Sequence, residues 1–344
     1  MDVGGAMSDV VLAVNCGSSS LKVALFEDGR ELVRRTVATL DQREALGLAL
    51  ARFEEAGTPP PTMIGHRVVH GGPSHVQHAD IDDVVLAGLR ELVPLAPLHM
   101  PAALAGIDAT RASRLPIPRR FASVRRYGFH GLSYASVLEA LGPALPSRIV
   151  ICHLGSGSSL VAVRDGEPVD TTMGFTPDGG IMMGTRAGDL DPGALIYLLR
   201  QEKLSPDALE RIVTRESGLL AVGGTSDMKA LLARTDPDAR LALAMFAQGV
   251  KKAIGALACV LGGVDVLVFT GGIGERAAPV RALACEGLGF MGIAIDPERN
   301  ARHDAVISAD ASDVVVRVVA TDEEREIARE TRDLVTPRLG RRVR

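Results

Sequence analysis

A structural unit that occurs twice in the chain is the strongest constraint on its fold. In the first copy an apolar run at 10–14 leads into N-C-G-S-S-S, and a second run at 21–26 is followed by an Asp28-Gly29 turn. Apolar runs joined by a Gly/Ser bend and then by Asp-Gly predict strand, bend, strand and hairpin. A bend of Gly and Ser leaves backbone N–H groups and small hydroxyls open, so it can wrap closely around a phosphate.

The second copy begins about 140 residues later and has its parts in the same order. An apolar run at 149–152 leads into H-L-G-S-G-S-S, then a run at 160–163, then an Asp165-Gly166 turn. One copy alone is equally well explained as an ordinary surface hairpin. Two copies at matching positions favour a duplicated protein whose halves hold a nucleotide's phosphates in a cleft.

Length, charge and cysteine content restrict the class of protein. The 344 residues predict about two domains, and a net charge of −4 gives no reason to expect nucleic acid as a partner. No apolar run approaches the ~20 residues that span a bilayer, which argues against a membrane protein. The N-terminal residues show no secretory signal, and four dispersed cysteines without a C-x-x-C pair predict reduced thiols. We therefore expect a cytoplasmic protein.

The rest of the chain alternates between extended and helical patterns, which predicts an α/β protein. A continuous apolar run at 264–269, bounded by Gly, is typical of a strand buried on both faces. Shorter strands are predicted at 63–69 and 314–318, and a hinge between the halves at 115–126. Helices are predicted at 43–56, 82–92, 191–200, 206–214, 238–261, 277–288 and 323–334.

Several segments carry residue types that bind anions. The strand at 264–269 runs into G-G-I-G-E-R and a helix, and free N–H groups at such a turn favour phosphate, although the spacing is not that of a dinucleotide motif. Arg67 in H-R-V-V-H-G-G and Arg186 in M-M-G-T-R-A-G-D each offer a guanidinium to a carboxylate or a phosphate. His130 and His153 are similar candidates. Each of these residues can also be an ordinary ion pair or a core histidine, so none identifies a function alone.

Taken together, these segments resemble the acetate kinase family, part of the superfamily that contains sugar kinases, heat-shock-70 proteins and actin. The resemblance covers nearly the whole chain and includes V-N-C-G-S-S-S-L-K, G-H-R-V-V-H-G-G, R-R-Y-G-F-H-G-L-S, M-M-G-T-R-A-G-D-L-D-P, F-T-G-G-I-G-E and T-D-E-E-R-E. It implies a duplicated ribonuclease-H-like (actin-like ATPase) fold, with two domains around a nucleotide cleft. The implied domains are 1–117, onto which a closing helix at 327–344 packs, and 118–326, which carries most of the nucleotide site.

The same resemblance implies a chemistry. A phosphoryl group passes reversibly, by direct in-line transfer, between ATP and acetate or another short-chain carboxylate, in a Mg²⁺-dependent homodimer. Catalysis of this kind depends mainly on positioning and charge neutralisation. Because a carboxylate is already ionised at pH 7, the reaction needs no strong base.

The family's functional positions map onto residues of this chain. The implied catalytic residues are Arg67, His130 and Arg186. The implied carboxylate pocket consists of Arg67, Val69 and Leu98. The implied Mg²⁺ residues are Asn15 and Glu323. The implied phosphate and nucleotide residues are Ser18, Ser20, Lys22, His153, Gly155, Ser156, Gly157, Gly271, Gly272 and Gly274.

The chain also departs from the family pattern. An F-D-T-A-F-H segment, whose aspartate belongs to the family's catalytic centre, is absent, since only residues 102–124 separate A-P-L-H-M-P from R-R-Y-G-F-H-G. Asp170, with Asp189 behind it, is our candidate for a carboxylate that takes over part of the metal binding. T-P-D-G-G stands where T-P-L-E-G is usual in the family. Ser156, Arg276 and Asp322 each stand where the family usually has Asn. The alternative to an active kinase is a catalytically impaired nucleotide-binding paralogue.

Overall fold

The computed structural model describes residues 9–16, 20–38, 49, 52–53, 55–59, 61–67, 79, 85, 126 and 128–342. The chain divides into two compact units. Unit 1 comprises Met1–Gly106, Gly131–Ser136 and Asp322–Arg344, and unit 2 comprises Ile107–His130 and Val137–Thr321. Each unit contains one sheet.

Unit 1 is built on a four-stranded sheet in the order β3-β2-β1-β4. Its strands are β1 (Val10–Cys16), β2 (Ser20–Glu27), β3 (Arg30–Ala38) and β4 (Met63–His66). β1, β2 and β3 form an antiparallel meander, and β4 lies parallel to β1. The turn between β2 and β3 has positive φ at both Asp28 (48°) and Gly29 (82°), as a tight Asp-Gly hairpin requires. The strands and hairpin predicted for the first copy are therefore confirmed.

Unit 2 repeats this topology and adds one strand, in the order β7-β6-β5-β8-β9. Its strands are β5 (Arg148–Leu154), β6 (Ser158–Arg164), β7 (Glu167–Thr171), β8 (Val266–Thr270) and β9 (Val315–Val318). β5, β6 and β7 form the meander, while β8 lies parallel to β5 and β9 parallel to β8. The Asp165-Gly166 turn again has positive φ at both residues. The duplication predicted from the sequence is confirmed.

Helices connect these strands. The α-helices whose bounds are described are α1 (Gly131–Leu141), α2 (Pro192–Arg200), α3 (Pro206–Arg215), α4 (Gly218–Gly223), α5 (Met228–Leu232), α6 (Pro237–Leu261), α7 (Gly271–Arg276), α8 (Ala278–Cys285), α9 (Pro297–Ala301) and α10 (Glu323–Arg342). A short 3-10 helix spans Gly289–Met291, and residues 49, 52–53 and 55 are also helical. Side-chain oxygens of Asp191, Ser205 and Asp236 cap α2, α3 and α6, each with proline directly after the cap. This is the usual chemistry of a helix start, and it explains why these helices were predictable.

The strand β1 is buried on both faces of the unit 1 sheet. Val11 and Ala13 share one apolar cluster with Ile327 and Ala328 of α10. The opposite cluster consists of Val10, Leu12, Val14, Leu21, Val23, Leu25, Ala49 and Phe53. Because successive side chains of a strand point to opposite faces, this alternation holds β1 firmly between two layers.

The 25-residue helix α6 forms the core of unit 2 and lies against β5 and β6. Among the described residues it is the one helix long and apolar enough to cross a bilayer. Its side chains at Phe246, Val250, Ile254 and Leu257 are at most 3% exposed and belong to the main apolar cluster. These side chains form the face of α6 that packs into the core of unit 2, whereas Leu241, Met245 and Val260 of the same helix are about half exposed.

The structure differs from the sequence prediction in several details. The segment G-G-I-G-E-R, predicted as a turn, is itself the short helix α7, and α4 and α5 are helices that the sequence pattern does not reveal. The hinge at 115–126 and the helix at 82–92 fall almost entirely outside the described residues, as does most of the helix at 43–56. The domain boundary near 117 stays a prediction.

Candidate active site

Unit 1 gathers a cluster of polar and charged side chains near the carboxyl end of β1. Asn15 is 4% exposed, and its Nδ2 donates to Glu323 Oε2 and to Glu324 Oε1, at 3.0 Å each. Both glutamates begin α10, more than 300 residues further along the chain. We refer to Asn15, Arg34, Arg67, Glu323 and Glu324 as the Asn15 cluster.

Arg67 directly follows β4 and extends its pairing with β1, because its backbone N–H donates to Val14 O at 3.0 Å. Its Nη1 donates to Asn15 Oδ1 at 3.1 Å and lies 3.5 Å from Glu323 Oε2. Its Nε is buried and has no hydrogen-bond partner among the described residues. A buried N–H without an acceptor costs roughly 1–3 kcal/mol, so this donor suits an anionic ligand oxygen.

Arg34 on β3 neutralises the acidic side of the Asn15 cluster. Its Nη1 donates to Glu324 Oε2 at 2.5 Å, and its Nη2 donates to Asp322 Oδ1 at 2.8 Å and to Glu31 Oε2 at 2.7 Å. Burial acts to lower the pKa of Arg34, but hydrogen bonds to Glu31 and Asp322 outweigh burial and raise it. The guanidinium therefore stays cationic and holds Glu324 against Asn15.

Unit 2 contains the second Gly/Ser bend, which joins β5 to β6 through residues 155–157. The Gly155 N–H donates to Gly157 O at 3.0 Å and to Ser158 Oγ at 3.2 Å, so the bend closes tightly. Ser156, at the tip, is exposed. The bend thus has the small side chains and accessible tip that the sequence predicted.

Two histidines are fixed beside this bend. The rings of His130 and His153 stack, with centroids 4.0 Å apart and planes 17° from parallel. His130 adopts a left-handed backbone conformation (φ 62°) directly before α1, and its Nδ1 lies 2.8 Å from Ser159 Oγ. The stacking and the hydrogen bond together set the direction of His130 Nε2.

Arg186 and His130 converge over Gly157. A Cβ atom at Gly157 would lie 3.2 Å from Arg186 Nη1 and 3.4 Å from His130 Nε2. Only a residue without a side chain leaves room for both groups together with a ligand atom. A guanidinium and an imidazole directed at one small volume suit the oxygens of a phosphoryl group.

Arg186 is 13% exposed and is held by the preceding loop. Its Nη1 donates to Pro177 O at 3.2 Å, and its Nε lies 3.4 Å from Asp178 Oδ1. Burial lowers the pKa of Arg186 and raises the pKa of Asp178. The attraction between the two charges opposes both shifts, since it raises the pKa of Arg186 and lowers that of Asp178. We refer to His130, His153, Gly157, Asp178 and Arg186 as the His130 cluster.

The glycines after β8 differ in their surroundings. Gly271 has φ 76°, and a Cβ there would lie 2.7 Å from Leu154 O, so the backbone packs directly against β5. Gly274 is buried, whereas a Cβ at Gly272 would meet nothing within 4 Å. Gly272 therefore leaves its backbone open to a ligand, while Gly271 and Gly274 shape the turn.

Arg281 of α8 holds the short helix α7 in place. It is fully buried, and its Nη1 donates to Gly274 O at 2.8 Å and to Glu275 O at 2.9 Å. Its Nε and Nη2 donate to Asn300 Oδ1 and Asn300 O. Burial lowers its pKa to about 10, which leaves it charged at neutral pH.

The two carboxylates proposed as substitutes for the missing aspartate are already engaged. Asp170 Oδ1 accepts from Arg126 Nη1 at 2.7 Å and from Thr171 N at 2.8 Å. Asp189 Oδ1 accepts from Gly180 N at 2.7 Å. No group of three or more His, Cys, Asp or Glu residues that could hold a metal occurs in the described part of the chain.

The structure therefore brings the implied residues together in separate groups. Asn15, Arg67 and Glu323 meet in unit 1, where Lys22 pairs with Asn15 across the strands and is exposed. His130, His153, Gly157 and Arg186 meet in unit 2. Ser18, Val69 and Leu98 lie outside the described residues, as does the side chain of Ser20.

Sequence reasoning missed Arg34, Asp178 and Arg281. An arginine inside the apolar run A-P-V-R-A-L-A is a detectable signal for Arg281, since a lone charge on a buried helix face needs fixed partners. The T-P-D-G-G departure drew attention to Asp178 without suggesting a partner. Arg34 gives no sequence signal for this cluster, because its partners Asp322 and Glu324 lie about 290 residues away.

Comparison with known proteins shows which proteins this chain resembles. The acetokinase family profile matches residues 27–118 and 109–329. An acetate kinase from Gloeobacter violaceus is 44% identical over 305 residues, covering 78% of this chain and 75% of that protein. A propionate kinase from Citrobacter rodentium is 38% identical over 388 residues, covering 94% and 96%. The crystal structure of Porphyromonas gingivalis acetate kinase superposes with a TM-score of 0.83 at 32% identity, covering 95% of this chain and 100% of that one.

The chain lacks residues that its relatives have. Its alignment with the Citrobacter protein is 388 positions long, whereas 94% of 344 residues is about 323, so about 65 positions have no counterpart here. The two segments matched by the family profile meet at 109–118. That interval is where the sequence lacks the F-D-T-A-F-H segment.

Proposed function

Because the chain belongs to the acetokinase family, we propose that it transfers the γ-phosphoryl group of ATP reversibly to acetate or another short-chain carboxylate. One carboxylate oxygen attacks the γ-phosphorus in line, and the bond from that phosphorus to the ADP oxygen breaks. The products are an acyl phosphate and ADP. The convergence of Arg186 and His130 over Gly157 is the structural observation that supports this proposal most.

Arg186 and His130 act on the transferring group in this proposal. Arg186 Nη1 and His130 Nε2 bind its equatorial oxygens and stabilise the charge that builds up there during transfer. The stack with His153 and the contact with Ser159 keep His130 from rotating. Preorganised donors of this kind need no reorganisation when the reaction occurs, which is why they accelerate it.

Arg67 binds the carboxylate substrate. Its buried Nε lacks a partner among the described residues, so a carboxylate oxygen there replaces an unsatisfied donor with a charge-assisted hydrogen bond. Val69 and Leu98 are the proposed apolar pocket for the acyl chain. One methylene in such a pocket is worth only ~1–3 kcal/mol, so acetate and propionate are both expected to react.

The nucleotide binds the two Gly-rich segments of unit 2. Phosphates and nucleoside bind at the bend with Gly155 and Ser156 and at the open backbone of Gly272. Arg281 keeps the segment that contains Gly272 fixed, because it binds the carbonyl of Gly274. Ser18, Ser20 and Lys22 are further proposed phosphate contacts.

Asn15 and Glu323 are the proposed Mg²⁺ residues. Carboxylate and amide oxygens are the hard ligands that Mg²⁺ prefers, and Mg²⁺ commonly uses one or two carboxylates together with substrate phosphates. Asn15 Oδ1 accepts from Arg67 Nη1 and Glu323 Oε2 accepts from Asn15 Nδ2, so these contacts compete with a metal. Bound Mg²⁺ neutralises phosphate charge. Asn15 holds Glu323 in place, and Arg34 compensates the charge of the neighbouring Glu324.

Acyl hydroxamate formation tests the activity. Purified protein with ATP, Mg²⁺ and hydroxylamine should give hydroxamate with acetate or propionate, at least 100-fold faster than the Arg67→Ala variant, because an acyl phosphate reacts directly with hydroxylamine. Calorimetric ATP binding without hydroxamate from any acid would instead support the impaired paralogue. Neither the described residues nor the relatives favour that alternative.

Replacing Glu323 with Gln should raise the Mg²⁺ concentration needed for half-maximal activity at least tenfold, since a neutral amide binds Mg²⁺ more weakly than a carboxylate. Calorimetry of Mg²⁺·ADP binding should show the same shift without turnover. The matched control is Glu330→Gln on the same helix, where Glu330 pairs with Arg329. An unchanged Mg²⁺ requirement in Glu323→Gln would remove Glu323 from the metal site.

We also propose a cytoplasmic homodimer in which a second copy covers α2. That helix has no buried residue, and Leu190, Ile196 and Tyr197 are 44–56% exposed beside and along it. Light scattering should give about 72 kDa, twice 36.2 kDa, for the protein, and about half that for Ile196→Asp. Phe290→Asp, which alters an 85% exposed side chain elsewhere, should leave the mass unchanged. Retention of the dimer by Ile196→Asp would exclude α2 as the interface.

A further inference from the structure

The loop before Arg186 contains a carboxylate that the proposed mechanism does not use. Asp178 belongs to T-P-D-G-G, and its Oδ1 lies 3.4 Å from Arg186 Nε. That oxygen is buried and has no hydrogen-bond partner among the described residues. Asp170 and Asp189, in contrast, are tied to Arg126 and to a backbone N–H. Of these three carboxylates, Asp178 is the one that lies beside Arg186.

Two adjacent residues of this loop hold Arg186. Pro177 O accepts from Nη1, and Asp178 lies beside Nε. Because a guanidinium is planar and rigid, contacts at Nε and Nη1 fix both its position and its rotation. The same Nη1 is the atom that reaches Gly157 beside His130. The loop therefore determines where the cationic edge of Arg186 points.

The attraction between these groups is strong because little water screens it. The side chains of Arg186 and Asp178 are 13% and 26% exposed. Opposite charges in such a setting interact several times more strongly than on an open surface. An uncharged residue at 178 would leave a buried guanidinium with weaker constraints.

We propose that Asp178 is a positioning residue: its carboxylate holds Arg186 so that Nη1 meets the transferring phosphoryl group over Gly157. This role rests on the proposed phosphotransferase activity. Asp178 itself does not touch the substrate. The resulting expectation is a loss of turnover with little loss of substrate affinity, since a displacement of about 1 Å at a reacting centre can cost about 100-fold in rate.

Kinetics of Asp178→Asn and Asp178→Leu test this role. For both variants kcat should fall 10- to 100-fold, while KM for acetate stays within about threefold. Asp265→Asn is the matched control, because Asp265 forms an ion pair with Arg148 in the same unit. This pair lies at the start of β5 and β8, whereas His153 and Thr270 lie at the other end of these strands. That control should keep its kcat even if its melting temperature falls. An Asp178 variant with kcat within threefold of the unsubstituted protein would overturn the proposal.

Nuclear magnetic resonance of ¹⁵N-arginine protein provides a test that does not need activity. The Arg186 Nε–H resonance, assigned by its loss in Arg186→Lys, should shift and exchange with water at least tenfold faster in Asp178→Asn, with the Arg281 resonance unchanged. An unaltered Arg186 resonance would overturn the positioning role even if kcat fell. If the unsubstituted protein forms no acyl phosphate, the proposed function fails, whereas this spectrum still decides whether Asp178 holds Arg186.

Discussion

Replacing Arg186 with alanine should lower kcat for acyl phosphate formation about 10²- to 10³-fold, the usual cost of removing one preorganised donor to a developing anion. Arg186 Nη1 and His130 Nε2 both lie close to Gly157, 3.2 and 3.4 Å from the position that a Cβ atom would take there. Alanine removes the charge from this volume without filling it. ATP binding, measured by calorimetry, should change less than tenfold, because the Gly-rich segments remain intact.

The control for this prediction is Arg211→Ala. Arg211 is an exposed arginine of the same unit that pairs with Glu216, and its loss should leave kcat within twofold. Melting curves of both variants separate a catalytic from a folding effect. If Arg186→Ala retained more than a tenth of the kcat, the phosphoryl-binding role of the His130 cluster would be wrong.

Gly271→Ala and Gly272→Ala should both weaken ATP binding, but only Gly271→Ala should destabilise the fold, although the residues are adjacent. Gly271 has a left-handed backbone, and its new Cβ would lie 2.7 Å from Leu154 O, so strain and overlap together should cost about 3 kcal/mol. The melting temperature should fall by roughly 6–12 °C, as for a unit of about 200 residues. ATP binding should be lost with the turn geometry.

Gly272→Ala should leave the melting temperature within about 2 °C, since its Cβ meets nothing within 4 Å. If the open backbone at Gly272 receives the nucleotide, this methyl group weakens ATP binding at least tenfold in a stable protein. Full ATP affinity in Gly272→Ala would show that the nucleotide does not approach Gly272. A stable Gly271→Ala would contradict the packing of the turn against β5.

The repeated meander was predictable because each part of it is local. Apolar runs of strand length and Asp-Gly turns act over a few residues, and the positive φ values at Asp28 and Gly29 are what that dipeptide favours. Helices with Ser or Asp caps followed by Pro were predictable for the same reason. The catalytic candidates Arg67, His130 and Arg186 came from motifs, and their roles remain proposals.

The helical state of G-G-I-G-E-R was not predictable, because glycine disfavours helix. Contacts from elsewhere in the fold stabilise it. Gly271 packs against Leu154 O, and Arg281 binds the carbonyls of Gly274 and Glu275. Tertiary hydrogen bonds here outweigh a local preference of about 1 kcal/mol per glycine.

The sequence by itself determined the duplicated α/β topology, the second Gly/Ser bend and the family to which the chain belongs, because these depend on neighbouring residues; the first bend, at 17–19, lies outside the described residues. Only the tertiary structure decided which charges meet: Asn15 with Glu323 across 308 positions, Arg34 with Glu324, and Asp178 with Arg186. Such pairs are set by how strands and helices pack, which leaves no periodic trace in the chain. For the same reason Asp170, a reasonable metal ligand by sequence, lies in an ion pair with Arg126, while Asp178 faces the arginine of the candidate active site.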